Sequence, residues 1–496
     1  MKKFLVVLFC ALSIILAACS QSGTPGQDLT SMTVVALGDS ITMGIQDAGL
    51  LRDFQLKNFP YLIATQMGTF ASFQQPYVES PGIGVPPYKV PLRLQNGLIV
   101  QTVWSPAPTP DQMFNWIFPM LSNINLSQPY NNLGVNGARL YDMRNTRSYT
   151  DTTDSNYFFD VVLRNSTPFP NKNFGGKTSV QEALMLKPDI VFLWIGSNDI
   201  LGTTLVGCGT NGNNFLFTST TDFQAEYGRL LTDLKSSGGI SLIVISKIPA
   251  YLPFVNALDG IYKNTQTGNS LSVFDPRTLA PINFNQSGGE LYIPLLLTEA
   301  NATHLLLTGV IACISPSGQG LPGSADLTAM GLDPSVIIPI MKAYGLAPNE
   351  SGNGTPLTGD LTITQNEETS ARGVIDSYNT ILISMSASFG VPIVDIVQSW
   401  WGNGPETPVP FGGYSGAYAL QAQDSTTFSL DGVHPSNLGN ALTANAFIRV
   451  LNQKWQLGIP ELNPDNYKGQ YSGKSISSES MKSIERVKEM YQLKRR

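Results

Sequence analysis

Residues 33–40 read TVVALGDS and contain the pattern that decides the fold. The run from Thr33 to Leu37 is short, apolar and rich in β-branched residues, which is typical of a strand buried on both faces. Gly38 and Asp39 end this run, so Ser40 follows directly at the carboxyl end of the predicted strand. A hydroxyl side chain delivered in this way makes Ser40 a candidate functional residue.

The same combination of helix and buried strand returns later in the chain. Helical periodicity precedes a short apolar strand pattern in three pairs of segments: 180–186 with 189–195, 223–234 with 240–245, and 374–389 with 391–396. This alternation predicts an α/β fold with a mainly parallel sheet. In the second helix one face is apolar, and Thr221 and Gln224 have capping-box spacing. Gly238 and Gly239 follow its predicted end.

Composition excludes several functional classes. The 496 residues are 42% hydrophobic and only 13% charged, which indicates a globular chain rather than a disordered one. Because 30 Lys and Arg stand against 36 Asp and Glu, the positive surface expected of a nucleic-acid-binding protein is missing. The two histidines and four cysteines are too few and too scattered for a Cys/His zinc site. We therefore expect no nucleic-acid partner and no bound metal of this kind.

The N-terminus has the features of an export signal. Lys2 and Lys3 precede an uncharged apolar run, 4–18, which is short for a membrane span. The run ends in LAAC at residues 16–19, which resembles the cleavage box of bacterial lipoproteins. That resemblance implies a signal peptide over 1–18, a lipid-modified Cys19 and a flexible tether over 19–31. An ordinary secretory signal is the alternative, and either interpretation predicts export.

Two of the cysteines remain in the mature chain besides Cys19. Cys208 and Cys313 could pair in an exported protein, where disulfides form, or could remain buried and separate thiols. The spacing of the two residues in the sequence does not decide between these alternatives.

Two long segments interrupt the α/β pattern. Residues 71–130 contain ten prolines and no sustained helical period, and residues 251–359 are rich in small and polar residues. Within the second insertion, the apolar stretch 291–314 could help form an acyl pocket or lid, or its part 305–314 could be another core element. The last residues, 461–496, predict a basic tail with some helical spacing; this tail is either a solvated helix or a surface for membranes or partners.

Residue types suited to serine hydrolysis occur in separate parts of the chain. A nucleophilic serine needs a base, an acid that orients the base, and donors for the oxyanion that forms on the attacked carbonyl. Ser40 is the candidate nucleophile, and Asp431 stands three residues before His434, the candidate base. Gly137 and Asn198 lie in loops at predicted strand ends.

Four short motifs containing these residues resemble, in order, the blocks of GDSL/SGNH hydrolases. They are GDSI at 38–41, NLGVNG at 132–137, GSND at 196–199 and DGVH at 431–434. One such motif is weak evidence, but four in the family's order are strong evidence. The resemblance implies a three-layer α/β/α, flavodoxin-like fold with a mainly parallel sheet. We therefore expect one hydrolase domain over 32–460, with insertions at about 71–130 and 251–359.

The resemblance also implies a role for each motif residue. Ser40 would be the nucleophile, His434 the general base and then acid, and Asp431 the group that orients the imidazole. The oxyanion hole would consist of the backbone N–H groups of Ser40 and Gly137 and the side-chain amide of Asn198. No metal or organic cofactor is implied.

These roles predict a lipase- or esterase-like hydrolase of carboxylic esters. The N-terminal segment predicts that this hydrolase is exported and lipid-anchored to a bacterial membrane, cell envelope or surface. A polysaccharide O-acetyl esterase is the alternative within the same fold, since several aromatic side chains could stack on sugar rings. The aromatic candidates for such stacking are Tyr77, Tyr88, Trp104, Trp116, Trp400 and Trp401. A surface-binding lipoprotein without turnover is the alternative from another class.

Overall fold

A computed structural model describes residues 28–87, 89–95, 98–100, 110–152, 155–166, 174–204, 217–249, 271–276, 281–285, 288–396, 427–431 and 433–469. The strands are β1 Val34–Gly38, β2 Gly49–Leu50, β3 Ile83–Gly84, β4 Arg93–Gln95, β5 Leu98–Val100, β6 Asn132–Gly134, β7 Ile190–Trp194, β8 Leu242–Ser246, β9 Ala302–Leu305, β10 Thr362–Thr364 and β11 Ile393–Val394.

The helices are α1 Ser40–Met43, α2 Arg52–Gln55, α3 Phe59–Met67, α4 Pro110–Ile117, α5 Asp142–Asn145, α6 Phe158–Leu163, α7 Ser179–Met185, α8 Asn198–Thr204, α9 Thr220–Ser236, α10 Leu307–Ile314, α11 Ser324–Ala329, α12 Pro334–Ala343, α13 Gln365–Phe389 and α14 Asn437–Trp455. Short 3-10 helices occupy Leu29–Ser31, Phe118–Met120, Tyr149–Asp151, Gly359–Leu361 and Pro464–Tyr467.

The central sheet is parallel and confirms the predicted fold class. Among the described residues its strand order is β11-β8-β7-β1-β6, with every pair parallel. Numbered along the chain and starting from β6, this order is 2-1-3-4-5, which is the flavodoxin-like arrangement. The order reverses at β1, so its carboxyl end lies at the switch point where such sheets bind ligands.

Alternate side chains of the central strands enter two different cores. Val35 and Leu37 of β1 are fully buried in one core with α9 and α13 side chains, whereas Val34 and Ala36 are buried in the other with α3 and α14 side chains. This alternation follows from the two-residue side-chain period of a strand. Helices therefore cover both faces of the sheet, which gives the three-layer α/β/α arrangement.

The ends of two helices differ from the sequence-based expectation. Helix α9 is capped by Ser219, whose Oγ accepts a hydrogen bond from the Asp222 N–H, so the predicted capping box at Thr221 is wrong. Serine is as good an N-cap residue as threonine, and Ser219 precedes Thr221 in the chain. The helix therefore begins at Thr220, earlier than the predicted capping box implies. Helix α13 begins nine residues before the expected 374, where Thr364 and Glu367 form a capping box.

The second insertion contains a core of its own. Side chains between residues 271 and 361 form a buried cluster that includes Leu295, Leu305, Val310 and Cys313. The core interpretation of stretch 305–314 is therefore confirmed at Leu305, Val310 and Cys313. The first insertion instead adds side chains, among them Trp116, to the core that contains Val35 and Leu37. Trp116 is 2% exposed and so is not available for stacking on a sugar.

Several predictions concern residues outside the described part of the chain. These are the signal peptide and tether up to residue 27 with Cys19, the residue Cys208 of the alternative pairing with Cys313, the aromatic candidates Tyr88, Trp104, Trp400 and Trp401, and the tail from residue 470. No helix within the described ranges is both long enough and apolar enough to cross a membrane.

Candidate active site

Ser40 occupies the first position of helix α1, immediately after strand β1. The Asp39 carboxylate caps this helix, with Oδ1 accepting a hydrogen bond from the Ile41 N–H at 3.0 Å. Ser40 is 5% exposed. Its backbone N–H donates to no residue that the structure describes, because the first N–H groups of a helix have no partner within it. That N–H is therefore available to a ligand.

The second motif packs directly against helix α1. A Cβ at Gly134 would lie 2.5 Å from the Met43 backbone nitrogen, so only glycine permits this close approach. Asn132 Nδ2 donates to the Thr42 carbonyl at 2.7 Å and fixes the strand to the helix. After the strand, the Ala138 N–H donates to the Val135 carbonyl at 3.1 Å, and Gly137 has a φ of 76°.

The third motif follows the neighbouring strand β7. Asn198 begins helix α8, and its Nδ2 donates to the carbonyl of Ala138 at 3.0 Å. The buried Asp199 accepts hydrogen bonds from the Leu140 N–H at 2.9 Å and from Thr218 Oγ1 at 2.6 Å. These contacts hold the loop that follows the second motif against the start of α8. Burial raises the pKa of Asp199 to about 6.

The fourth motif places Asp431 and His434 in direct contact. His434 Nδ1 and Asp431 Oδ2 lie 2.8 Å apart, and both side chains are buried. Asp431 Oδ2 also accepts from the Ala48 N–H at 2.6 Å. Its Oδ1 accepts from the N–H groups of Val433 and His434 and from Ser429 Oγ, at 2.9, 2.8 and 3.1 Å.

Two buried carboxylates near the site have opposite pKa shifts. Burial alone would raise the pKa of Asp431, but the charge of His434 and the donated hydrogen bonds outweigh burial and hold this pKa at about 2. Asp431 is therefore a carboxylate throughout the physiological range. For Asp39, burial dominates and raises the pKa to about 6, although the Ile41 N–H and His434 act in the opposite direction.

A single cavity brings together the side chains predicted for the site. It has a volume of about 730 Å³, and Ser40, Gly137, Asn198, Asp431 and His434 all line it. These residues come from motifs separated by up to nearly 400 positions, so only the fold brings them together. Other lining residues include Val85, Arg139, Tyr141, Asn156, Phe159 and Leu201. No residue of the apolar stretch 291–314 is among the described residues that line the cavity.

The segment that supports the fourth motif lies at residues 47 and 48 and belongs to none of the four motifs. Asp47 donates its N–H to Ser429 Oγ at 2.9 Å and accepts the Leu430 N–H at 2.8 Å. Asp47 and Ala48 both have positive φ, and the N–H groups of both residues donate to the segment before His434. No local pattern in the sequence links positions more than 380 residues apart.

Comparison with known proteins gives a family match for the first part of the chain. Residues 34–266 match the family model described as GDSL-like Lipase/Acylhydrolase. No curated protein sequence matches the chain. A solved structure that matches is LAE5, an α/β hydrolase enzyme from the metagenome of Lake Arreo, Spain, with 12% identity, a TM-score of 0.31, and coverage of 85% of this chain and 95% of that one. So low a TM-score supports no inference.

The matched region contains the first three motifs, with Ser40, Gly137 and Asn198, whereas Asp431 and His434 lie beyond it. The match supports a hydrolase of the esterase or lipase type in general. The resemblance to the GDSL-like lipase and acylhydrolase family that the motifs predict is thus confirmed over residues 34–266.

Proposed function

We propose that this protein hydrolyses carboxylic esters, with Ser40 as the nucleophile and Asp431 and His434 as its acid–base partners. The observation that carries the proposal is the cavity that Ser40, Asp431 and His434 line together. The 2.8 Å contact between Asp431 and His434 Nδ1 favours the tautomer that leaves Nε2 free to accept a proton. A histidine held in this way is suited to activate a serine hydroxyl.

The proposed reaction proceeds through an acyl-enzyme. Ser40 Oγ attacks the ester carbonyl carbon while its proton moves to His434, and the carbonyl oxygen becomes an oxyanion. The tetrahedral intermediate collapses, the C–O bond to the alcohol breaks, and His434 gives the proton to the leaving alcohol. Water then attacks the acyl-enzyme with His434 as base, and the carboxylic acid leaves. Asp431 remains ionised and stabilises the imidazolium at each stage.

The oxyanion would be bound by the N–H groups of Ser40 and Gly137 and by the Asn198 amide. Neither backbone N–H donates to a described residue. Asn198 uses Nδ2 to donate to the Ala138 carbonyl, and an amide nitrogen carries a second hydrogen for another acceptor. All three residues line the cavity, as preorganised oxyanion donors must.

The cavity has room for a small acyl or alcohol group. Its volume of about 730 Å³ lies within the usual range for small-molecule sites. Val85, Phe159 and Leu201 provide apolar lining, while Arg139 and Asp142 provide polar lining. We infer that these side chains, rather than the stretch 291–314, contact the ester.

Hydrolysis of a chain-length series of p-nitrophenyl acyl esters tests the proposed function. We expect turnover by purified residues 20–496, with kcat/KM highest for one range of acyl lengths because a cavity of fixed volume selects size. A preference for acetate that extends to acetylated polysaccharide would favour the sugar esterase. Folded protein that neither turns over any ester nor reacts with a fluorophosphonate probe would instead be a binding protein.

We also propose that the protein is exported and anchored by lipid on Cys19. The uncharged run 4–18, the LAAC motif and the polar tether up to residue 31 support this proposal. Growing cells with radiolabelled palmitate is expected to label the protein and to leave the Cys19→Ala variant unlabelled, with the variant recovered in the soluble fraction. An unlabelled wild-type chain that is secreted and cleaved would indicate an ordinary signal peptide.

A further inference from the structure

We propose that Asn156 is a positioning residue that holds the Gly137 N–H in the orientation needed to bind the oxyanion. The inference rests on the proposed ester hydrolysis and adds a residue that none of the four motifs contains. Asn156 Nδ2 donates to the carbonyl of Asn136 at 2.7 Å. Both Asn156 and Asn136 line the cavity beside Gly137.

The peptide between Asn136 and Gly137 can adopt two opposite orientations. The Ala138 N–H bond to the Val135 carbonyl closes a four-residue turn. A φ of 76° at Gly137, together with a φ at Asn136 that is not positive, makes it a type II turn. Type I and type II turns differ chiefly by a flip of the central peptide, here Asn136–Gly137. A flip would exchange the positions of the carbonyl oxygen and the N–H hydrogen.

The hydrogen bond from Asn156 selects one of these orientations. A trans peptide points its C=O and its N–H in opposite directions. With the Asn136 carbonyl held by Asn156, the Gly137 N–H points away from Asn156, and it donates to no described residue. The type II orientation therefore presents a free donor, whereas the flipped peptide would present a carbonyl oxygen that repels an oxyanion.

The orientation of the Asn156 amide is itself fixed. Asn156 Oδ1 accepts the Phe158 N–H at 3.1 Å at the start of helix α6, so the opposite side of the amide must be the Nδ2 donor. The backbone N–H of Asn156 donates to Thr152 Oγ1 at 2.7 Å. A Cβ at Gly137 would lie 3.2 Å from Asn156 Nδ2, so the amide packs against the turn.

Kinetics of Asn156→Ser tests the inference. Serine keeps an oxygen that can accept a nearby backbone N–H but is too short to reach the Asn136 carbonyl. We expect kcat to fall about 10- to 100-fold with KM within about twofold of wild type, because the oxyanion forms only in the transition state. The rate of inactivation by a fluorophosphonate, whose P–O group occupies the same site, should fall in parallel. Asn198→Ala, which removes a whole donor, should cost about 10²- to 10³-fold.

Asn452→Ser is the matched control. Asn452 is also half-buried and makes the same pair of bonds, with Nδ2 on the Ile459 carbonyl at 2.8 Å and Oδ1 accepting the Ile459 N–H at 2.9 Å, but it lies in α14 away from the cavity lining. It should match Asn156→Ser in any loss of stability while keeping wild-type kcat. Asn156→Asp, which retains the acceptor for Phe158, provides a second variant if serine prevents folding.

The outcomes separate failure of the inference from failure of the proposed function. Wild-type turnover that depends on Ser40, together with kcat within twofold of wild type in the folded Asn156 variants, would overturn the role of Asn156 alone. An equal loss of kcat in Asn452→Ser would also overturn it. Wild-type protein without ester turnover would overturn both proposals.

Discussion

Replacing Ser40 by alanine is expected to reduce ester turnover about 10⁶-fold, the magnitude associated with loss of the nucleophile in a serine hydrolase. The substitution removes only the attacking Oγ. Alanine retains the backbone N–H at the start of helix α1, so one of the proposed oxyanion donors and the cavity itself remain. The residual rate should therefore come from binding and oxyanion stabilisation alone. Initial rates on the preferred p-nitrophenyl ester, with active-site titration by a fluorophosphonate, measure the effect.

Ser179→Ala provides the matched control for this experiment. Ser179 is also buried and also the first residue of a helix, α7, and its hydroxyl has no hydrogen-bond partner among the described residues. Its removal should leave kcat, KM and probe labelling at wild-type values. If folded Ser40→Ala kept more than a few per cent of wild-type activity, Ser40 would not be the nucleophile.

The sequence predicted the central sheet well because its signals are local. Strand β1 needs only the apolar run before Gly38, and α9 needs only the period of its apolar face, since both patterns arise from backbone geometry within a few residues. The error at the start of α9 is also local, because Ser219 and Thr221 offer competing caps two positions apart.

The support around the candidate site could not be predicted in the same way. The Ala48 N–H donates to the Asp431 carboxylate across 383 positions of sequence. Asn156 Nδ2 donates to the Asn136 carbonyl across 20 positions. An asparagine that caps a helix and one that orients a catalytic peptide have the same local sequence signal. Which backbone carbonyl lies within hydrogen-bonding distance of an asparagine side chain is decided by how the strands pack side by side.

The separate core of the second insertion illustrates a related limit. An apolar stretch such as 291–314 has the same composition whether it lines a pocket or fills a core. In the structure Leu295, Leu305 and Val310 pack against their own insertion, so the apolar contacts of the cavity come from Val85, Phe159 and Leu201. Under the proposed function, substrate specificity would therefore depend on these three side chains rather than on the stretch 291–314.

Asp431→Asn is expected to lower kcat about 10⁴-fold although the side chain keeps its shape. Both oxygens of Asp431 accept hydrogen bonds, Oδ1 from Ser429 and two backbone N–H groups and Oδ2 from Ala48 and His434. The asparagine amide must place its NH₂ at the position of either Oδ1 or Oδ2. At either position the NH₂ group faces N–H donors instead of accepting from them. With the NH₂ towards His434 it would donate to Nδ1 and put the imidazole proton on Nε2. That tautomer cannot accept the Ser40 proton.

The same substitution should lower stability in a pH-dependent manner that separates it from the kinetic effect. The pKa of Asp431 is about 2 in the folded protein and 3.8 in a model peptide. Because the folded-state pKa is depressed, the carboxylate stabilises the fold above pH 3.8, and this contribution disappears as pH falls through 2. Urea unfolding at pH 7 should therefore show a loss of about 2 kcal/mol in Asp431→Asn, shrinking towards acid pH.

Asp326→Asn separates the two effects, since Asp326 Oδ2 accepts the N–H groups of Gly323 and Gly354 within the insertion core and does not line the cavity. It should lose stability and keep wild-type kcat. If Asp431→Asn lost only stability, with kcat within tenfold of wild type, His434 would not need Asp431 to select its tautomer. The carboxylate would then serve only to join the Ala48 segment to the fourth motif.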